Sequence, residues 1–486
     1  MSSSTPTTGT PKSGTNAKVI ALAIAGAVGG FLFGFDSSVI NGAVDPIQDQ
    51  FDLSGSLTGF AVASALLGCA VGAYVAGRLA DWKGRIPAML VGAVLFLISA
   101  IGTGLAFNVW DLIAWRLVGG LGIGIASVIA PAYIAEISPK NLRGRLGSLQ
   151  QLAITIGIFA ALLSDTVFAN WAGGAGQELW LGQEAWRWMF LAGIVPAVVY
   201  GLIALKLPES PRFLVLKERD DEVRTIFARL WPNDDVERAI RDMREGIEAD
   251  AQGSKKGALR GNRFGLKPIV WVGIILSVLQ QFVGINVIFY YSTTLWKSVG
   301  FQESDSFTIS VITAVTNIAV TFVAIALVDR VGRRPILLFG SAGMAISLAT
   351  MSLAFSQADI VDGAPSLPGA WGPIALVAAN IFVVSFGASW GPVVWVLLGE
   401  IFPTRIRARA LGIAAAAQWI ANFLITVSFP PLADFSLIFT YGMYAFFAAL
   451  SFVFVFRVVP ETNGMSLEEA NTLLPPKGSA KKAARS

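Results

Sequence analysis

Twelve stretches of this chain are each long and apolar enough to cross a bilayer, and that feature limits the fold more than any other. A helix needs about 20 apolar residues to cross roughly 30 Å of hydrocarbon. Such runs fall near 19–43, 57–79, 87–107, 111–136, 146–168 and 186–207, then near 268–294, 306–328, 335–356, 371–400, 409–428 and 437–458. The composition agrees: 54% of the residues are hydrophobic, 14% are charged, and the mean hydropathy is +0.64. A soluble domain carries nearer a quarter of charged residues, so much of this surface faces lipid. The expected class is all-α integral membrane, with twelve transmembrane helices.

Residues 1–17, rich in Ser, Thr, Pro and Gly, read as a disordered tail. They lack the basic segment and small-residue cleavage site of a signal peptide, so the first apolar run should stay as a span. The pI near 9.1 reflects no basic patch of the kind that binds nucleic acid. Its cations sit in alternate loops: Arg78–Arg85, Lys140–Arg145, Lys206–Lys267, Arg330–Arg334, Arg405–Arg409 and the tails. Only Arg187 and Lys297 fall on the other side, and Arg116 lies within a span. The positive-inside rule then places both termini in the cytoplasm of a multi-pass cell-membrane protein. The one cysteine, Cys69, lies in an apolar run and reads as packing, and there is no histidine. No metal site, catalytic constellation or cofactor is expected, so a membrane enzyme is the weakest reading.

The chain repeats itself. Asp81-Trp82-Lys83-Gly84-Arg85 returns as Asp329-Arg330-Val331-Gly332-Arg333-Arg334. Glu136-Ile137-Ser138-Pro139 with Arg143 returns as Glu400-Ile401-Phe402-Pro403 with Arg407. Pro208-Glu209-Ser210-Pro211-Arg212 is echoed by Pro460-Glu461-Thr462-Asn463-Gly464, and all three offsets are roughly 250 residues. The chain therefore divides into six-helix halves at 18–209 and 268–459, a cytoplasmic linker at 210–267 and a tail at 460–486. Two pseudo-symmetric six-helix halves, with a site between them near the midplane, are the plan of a major facilitator fold. In the linker, Leu214, Leu216, Val223, Ile226, Phe227 and Leu230 form an amphipathic pattern among charges. Three or so short helices acting as a cytoplasmic clamp would explain that stripe, which a plain spacer would not need.

On these motifs the chain resembles the sugar porter family across its membrane region. The resemblance also rests on Gly29-Gly30-Phe31-Leu32-Phe33-Gly34-Phe35-Asp36, Gln280-Gln281 with Gly284-Ile285-Asn286, Ser389-Trp390-Gly391-Pro392-Val393-Val394-Trp395, and Gln418-Trp419. The last two runs look most like bacterial proton-linked glucose and xylose porters. Two departures stand out: Ile86 where a second basic residue is usual, and Asn463 where a Lys is usual. Both predict a somewhat looser cytoplasmic gate.

A sugar offers hydroxyls that donate and accept, together with apolar C–H faces. Neutral amides match the first and an aromatic ring the second, while charge at this depth is costly. The spans supply Gln151, Gln280, Gln281, Asn286, Asn317, Gln418 and Asn422. Each amide admits two readings, ligand contact or glue between helices. Gln280, Gln281 and Asn286 favour contact, because Gly284 among them lets the helix open toward a cavity. The resemblance implies that Gln151, Gln280, Gln281, Asn286, Trp395 and Gln418 touch sugar, with Tyr290 and Asn317 beside them. Trp395 follows Gly391-Pro392, a pair expected to break the helix, and reads as a stacking platform near mid-span.

Asp36 reads as the only carboxylate well inside a span, since Glu136 and Glu400 lie at cytoplasmic ends. It lies about 10 Å below the outer end of span 1, and Arg116 about 7–8 Å below that of span 4. Similar depths make an ion pair feasible, in which protonating Asp36 would release Arg116 and shift the balance of states. The resemblance agrees, since proton-linked sugar porters carry Asp here and facilitative carriers a neutral residue. Arg85, Glu136 and Arg143 with Arg333, Glu400 and Arg407 are expected where the halves meet, as a cytoplasmic gate. The function expected is monosaccharide/H⁺ symport by alternating access, with D-glucose as the first expectation, the proton as coupling ion and no obligate protein partner. The alternatives are a uniporter, a xylose or myo-inositol carrier, and a transporter-like nutrient sensor.

Overall fold

The computed structural model describes residues 13–138, 143–231, 235–256, 259, 265–361, 364–402 and 406–462. Among them are twelve helical spans: Ala17–Gly42, Gly55–Lys83, Arg85–Gly104, Val109–Ile137, Ser148–Ala172 and Ala185–Lys206, then Pro268–Tyr290, Glu303–Val328, Arg333–Phe355, Trp371–Ile401, Arg409–Phe435 and Leu437–Val458. Several run past the hydrocarbon. Span 2, at 29 residues, is about 43 Å long, so its end at Lys83 lies beyond the apolar core of a bilayer.

Lipid gives helices no hydrophobic reason to associate, so close backbone contact must hold them. Span 1 crosses span 5 at Gly34 and Gly157: a Cβ on Gly34 would stand 2.0 Å from the Ile154 carbonyl oxygen, and one on Gly157 2.2 Å from that of Phe31. Only glycine fits either position. Between the halves, span 2 packs on span 11 and span 5 on span 8. Phe60 meets Phe423 edge-on, and the Thr155 and Thr321 hydroxyls lie 3.4 Å apart.

The even number of spans puts the start of span 1 and the end of span 12 on one face, which also bears most of the loop cations (the basic face). There the sequence repeat is a repeat of structure. The Glu209 carboxylate accepts the N–H groups of Arg85 and Ile86 at the start of span 3. Glu461 accepts those of Arg333 and Arg334 at the start of span 9. Each acid thus satisfies two free amides and complements a helix dipole.

The opposite face carries two hairpins, Glu178–Trp180 with Gln183–Glu184 and Asp359–Val361 with Ala364–Ser366 (the hairpin face). The linker forms helices Pro211–Leu216, Asp220–Leu230 and Val236–Lys256. Phe213, Leu214, Val215, Val223, Phe227 and Ile240 close a small core among them. Trp231 carries that core onto Val19, Ala23 and Leu146, at the basic-face ends of spans 1 and 5. These contacts tie the linker to the N-terminal half.

Candidate functional site

Span 7 is interrupted into Pro268–Phe282 and Ile285–Tyr290, and a short helix, Ser292–Ser298, follows it. The break falls at Gly284, which has φ +83° and whose missing Cβ would lie 2.6 Å from the Tyr444 ring. A left-handed backbone and that close ring both demand glycine. Span 10 is interrupted at Ala388–Ser389, between Trp371–Gly387 and Trp390–Ile401. The expectation that Gly391-Pro392 breaks this helix is corrected. The pair lies in the first turn of the second piece, where the missing proline N–H would have no helical partner anyway.

The two breaks face each other. Gln280 donates its side-chain amide to the carbonyls of Trp390 at 2.8 Å and Gly391 at 3.4 Å. Its own Oε1 is buried without a partner. Asn286 donates to Gln281 Oε1 at 2.6 Å, spanning the Gly284 break. Asn317 turns its Oδ1 toward Gly387, at the end of the first piece of span 10. Gln151 and Asn317 meet the half interface indirectly, since Thr155 bonds to the Gln151 carbonyl and Thr321 to that of Asn317. Gln418 also has a buried Oε1 without a partner, and its neighbour Trp419 stands 5.5 Å edge-on from Phe33 of span 1. Trp395 is 42% exposed, so its ring is open to contact. No described hydrogen bond joins Trp395 or Gln418 to the other amides. Asn422, left open between glue and contact, accepts from Thr426 one turn on.

The expected Asp36–Arg116 ion pair is not formed among the described residues. Arg116 donates instead to the Ala61 and Val62 carbonyls at 3.2 and 3.0 Å, and its Nη1 has no partner. Asp36 is 9% exposed, and Arg116 3%. Both line a cavity of about 10 Å³ with Phe33, Ser37, Cys69 and Tyr290, room for about one water. Equal depth brought the two groups to one cavity, but the Ala61 and Val62 carbonyls of span 2 hold the guanidinium.

Four of the expected gate residues pair off. Arg85 pairs with Glu136 at 2.9 Å, and Ser210 bonds to the same carboxylate. Arg333 pairs with Glu400 at 2.9 Å, joined by Thr462. Each arginine–glutamate pair lies inside one half, with its hydroxyl from the segment that follows that half's last span, and no described ion pair crosses the basic face. The side chains of Arg143 and Arg407, and Asn463 as a whole, lie outside the described residues.

The halves are instead fastened at the hairpin face, which the sequence reading did not foresee. Asn41 accepts the Thr293 N–H at 3.1 Å, and its carbonyl accepts the Thr293 hydroxyl at 2.6 Å. Asp45 holds Thr294 at 2.6 Å and Lys297 at 2.7 Å, and Glu303 accepts the Ala175 N–H. The one available signal was Lys297, among the few cations of that face. A second oversight is Asp165. It lies inside span 5 and is fully buried, so Asp36 is not the only intramembrane carboxylate.

The sequence profile of the family described as "Sugar (and other) transporter" matches residues 22–474. A "Glucose transport protein" of Synechocystis sp. is 53% identical over 470 residues, covering 96% of this chain and 99% of that one. A "D-xylose-proton symporter" of Escherichia coli is 34% identical, covering 94% and 96%. Among solved structures, the inward-open conformation of the xylose transporter XylE from E. coli superposes with a TM-score of 0.79 at 33% identity, covering 94% of this chain and all of that one. The same symporter bound to 6-bromo-6-deoxy-D-glucose gives 0.77 at 34% identity, covering 95% and 100%. With two six-helix halves, facing breaks in spans 7 and 10, and a profile match over nearly its whole length, the chain belongs to the sugar porter family of major facilitator transporters.

Proposed function

We propose that this protein imports a monosaccharide, D-glucose first among candidates, together with a proton. The relatives named for glucose transport and for xylose–proton symport support those two solutes. The basic face is cytoplasmic, as its loop cations require, and so are both termini. The chain acts as a carrier without catalysis, and no cofactor beyond the coupling proton is invoked.

Gln280 and Gln418 carry the sugar reading, because each holds a buried acceptor with no protein partner. Leaving such an atom unsatisfied costs about 1–3 kcal/mol, which a sugar hydroxyl would recover. Gln151, Gln281, Asn286 and Asn317 supply further amides from both halves, Tyr290 borders the site, and Trp395 offers a ring face. Sugar held between the halves favours their closing around it, which is alternating access by differential contact.

The observation that carries proton coupling is the cavity shared by Asp36, Arg116 and Tyr290. Tyr290 ends the piece of span 7 that begins just after Gly284, so the acid borders the element that bears Asn286. A charged Asp36 would draw the partnerless Nη1 of Arg116 away from span 2. A protonated one leaves Arg116 on its carbonyls, as found here. In this reading the proton chooses between two positions of Arg116, and the sugar between two positions of span 7. The test is uptake by the purified protein in liposomes, with and without an inward proton gradient, across a panel including glucose, xylose and myo-inositol. Accumulation of glucose only under the gradient supports symport. Equilibration without proton movement makes the protein a uniporter.

A further inference from the structure

The buried carboxyl of Asp165 has no part in the site described above. It is fully buried in span 5, and its Oδ2 accepts the Gly42 N–H at 3.2 Å. Gly42 closes the 3-10 turn Ile40–Gly42 that ends span 1, and all three residues of the turn are buried. The turn is packed tightly there: a Cβ on Gly42 would lie 2.7 Å from Met189 Sδ and 2.9 Å from Asp165 Cγ. Spans 5 and 6 therefore fix where this turn sits.

The residue just before Gly42 is Asn41, which makes two hydrogen bonds to Thr293 of the opposite half. One short path thus runs from Asp165 through the Gly42 N–H and Asn41 to Thr293. Thr293 lies three residues beyond Tyr290, where the piece of span 7 bearing Asn286 ends. Two polar atoms along the path are buried without partners, Asp165 Oδ1 and Asn41 Nδ2. A closed gate made only of satisfied groups would be hard to reopen; these two atoms gain partners only when the turn moves or takes up water.

We propose that Asp165 is a positioning residue of the hairpin-face gate: by accepting the Gly42 N–H it sets the span 1 turn so that Asn41 latches Thr293. The role lies in the acceptor oxygen, and Asn in its place serves as well. The inference rests on the alternating-access reading above, but its test needs neither sugar nor a proton gradient.

Cys69 is the only cysteine, so Cys69→Ala with Ser292→Cys leaves one thiol, buried beside the latch in the closed state. The rate of its reaction with a membrane-impermeant maleimide, added on the hairpin face, reports opening. Asp165→Leu, Gly42→Ala and Asn41→Ala should each speed labelling about tenfold, as loss of a hydrogen bond to a charged or buried group would. Asp165→Asn should stay within about twofold. Asp165→Leu combined with Asn41→Ala should label no faster than either alone, because both remove one latch. Unchanged labelling in the single variants, effects that multiply in the double, or Asp165→Asn behaving like Asp165→Leu would each overturn the proposal. If Asp165→Leu does not fold, Gly42→Ala attacks the same contact from its other side and decides the matter. A wild type that labels as expected but moves no sugar would remove the transport reading and leave this latch standing.

Discussion

Gln280 holds the carbonyl of Trp390 at 2.8 Å, fastening the interruption of span 7 to that of span 10. One side chain thereby spans two breaks in the C-terminal half and still presents a free acceptor. Support of the fold and recognition of a ligand are joined in it.

That double role predicts a different outcome for Gln280 than for its neighbours. Gln280→Ala should lower the thermal unfolding midpoint and weaken sugar binding together. Trp395→Ala should weaken binding with the midpoint nearly kept, and Gln281→Ala, which loses the Asn286 bond, should fall between the two. A lost hydrogen bond of about 1–2 kcal/mol corresponds to about five- to thirtyfold in affinity. Calorimetric titration beside thermal unfolding separates the two behaviours. Wild-type affinity in folded Gln281→Ala and Trp395→Ala would remove both from the site.

The basic-face networks predict an asymmetry between the halves. Glu136 and Glu400 each hold an arginine and a hydroxyl, but the Glu136 side chain is 14% exposed and that of Glu400 27%. Removing either anion takes from a buried arginine the carboxylate it holds at 2.9 Å. Solvent relieves more of that cost at the more open site. Glu136→Gln should therefore destabilise more than Glu400→Gln, by about 2 kcal/mol against about 1. Thermal unfolding of the two variants checks the order, and a larger loss at Glu400 contradicts it.

The twelve spans were legible because apolar length is a property of the sequence itself, needing no knowledge of neighbours. The three repeated motifs were legible for the same reason, and the structure turns Glu209 and Glu461 into matched caps on spans 3 and 9. Direction around a helix was not legible. Asp36 and Arg116 share a depth, yet the backbone carbonyls of Ala61 and Val62 captured the guanidinium. Which partner a charge takes was hidden too: Arg85 pairs with Glu136 and Arg333 with Glu400, each within its own half. Pro392 misled because proline in a first turn is compatible with helix. Asp165 escaped notice because it sits near the end of an apolar run, where an acid reads as a boundary.

The ion pair at the hairpin face gives a pH prediction. Burial alone would pull Lys297 down, but the charge and hydrogen bond of Asp45, with Glu303 and Asp49 behind it, hold Lys297 above its ordinary 10.5. A raised value means the bridge stabilises the closed face at any pH below the ordinary lysine value. That contribution is lost only as pH climbs through the higher one. From about pH 6 to about pH 9 the Lys297 charge should therefore contribute a constant amount to closure. Lys297→Met should open the face by the same factor throughout that window. Labelling of Ser292→Cys in both backgrounds should give parallel pH curves, and convergence of the curves toward pH 9 would contradict it.

Proton coupling, as proposed above, rests on a different group, Asp36. Asp36→Asn keeps size and hydrogen-bonding capacity but removes the proton that can be exchanged. Arg116 already rests on the Ala61 and Val62 carbonyls here, so the variant should fold and hold this arrangement at every pH. Sugar binding should survive, because no amide of the site has changed, and equilibrative exchange should survive with it. Accumulation against a sugar gradient should be lost. In liposomes the wild type should acidify its lumen when glucose is added outside, while the variant should not. Concentrative uptake by Asp36→Asn under an inward proton gradient would remove Asp36 from the coupling step. A wild type that moves sugar without protons would leave Asp36 as a packing residue of span 1.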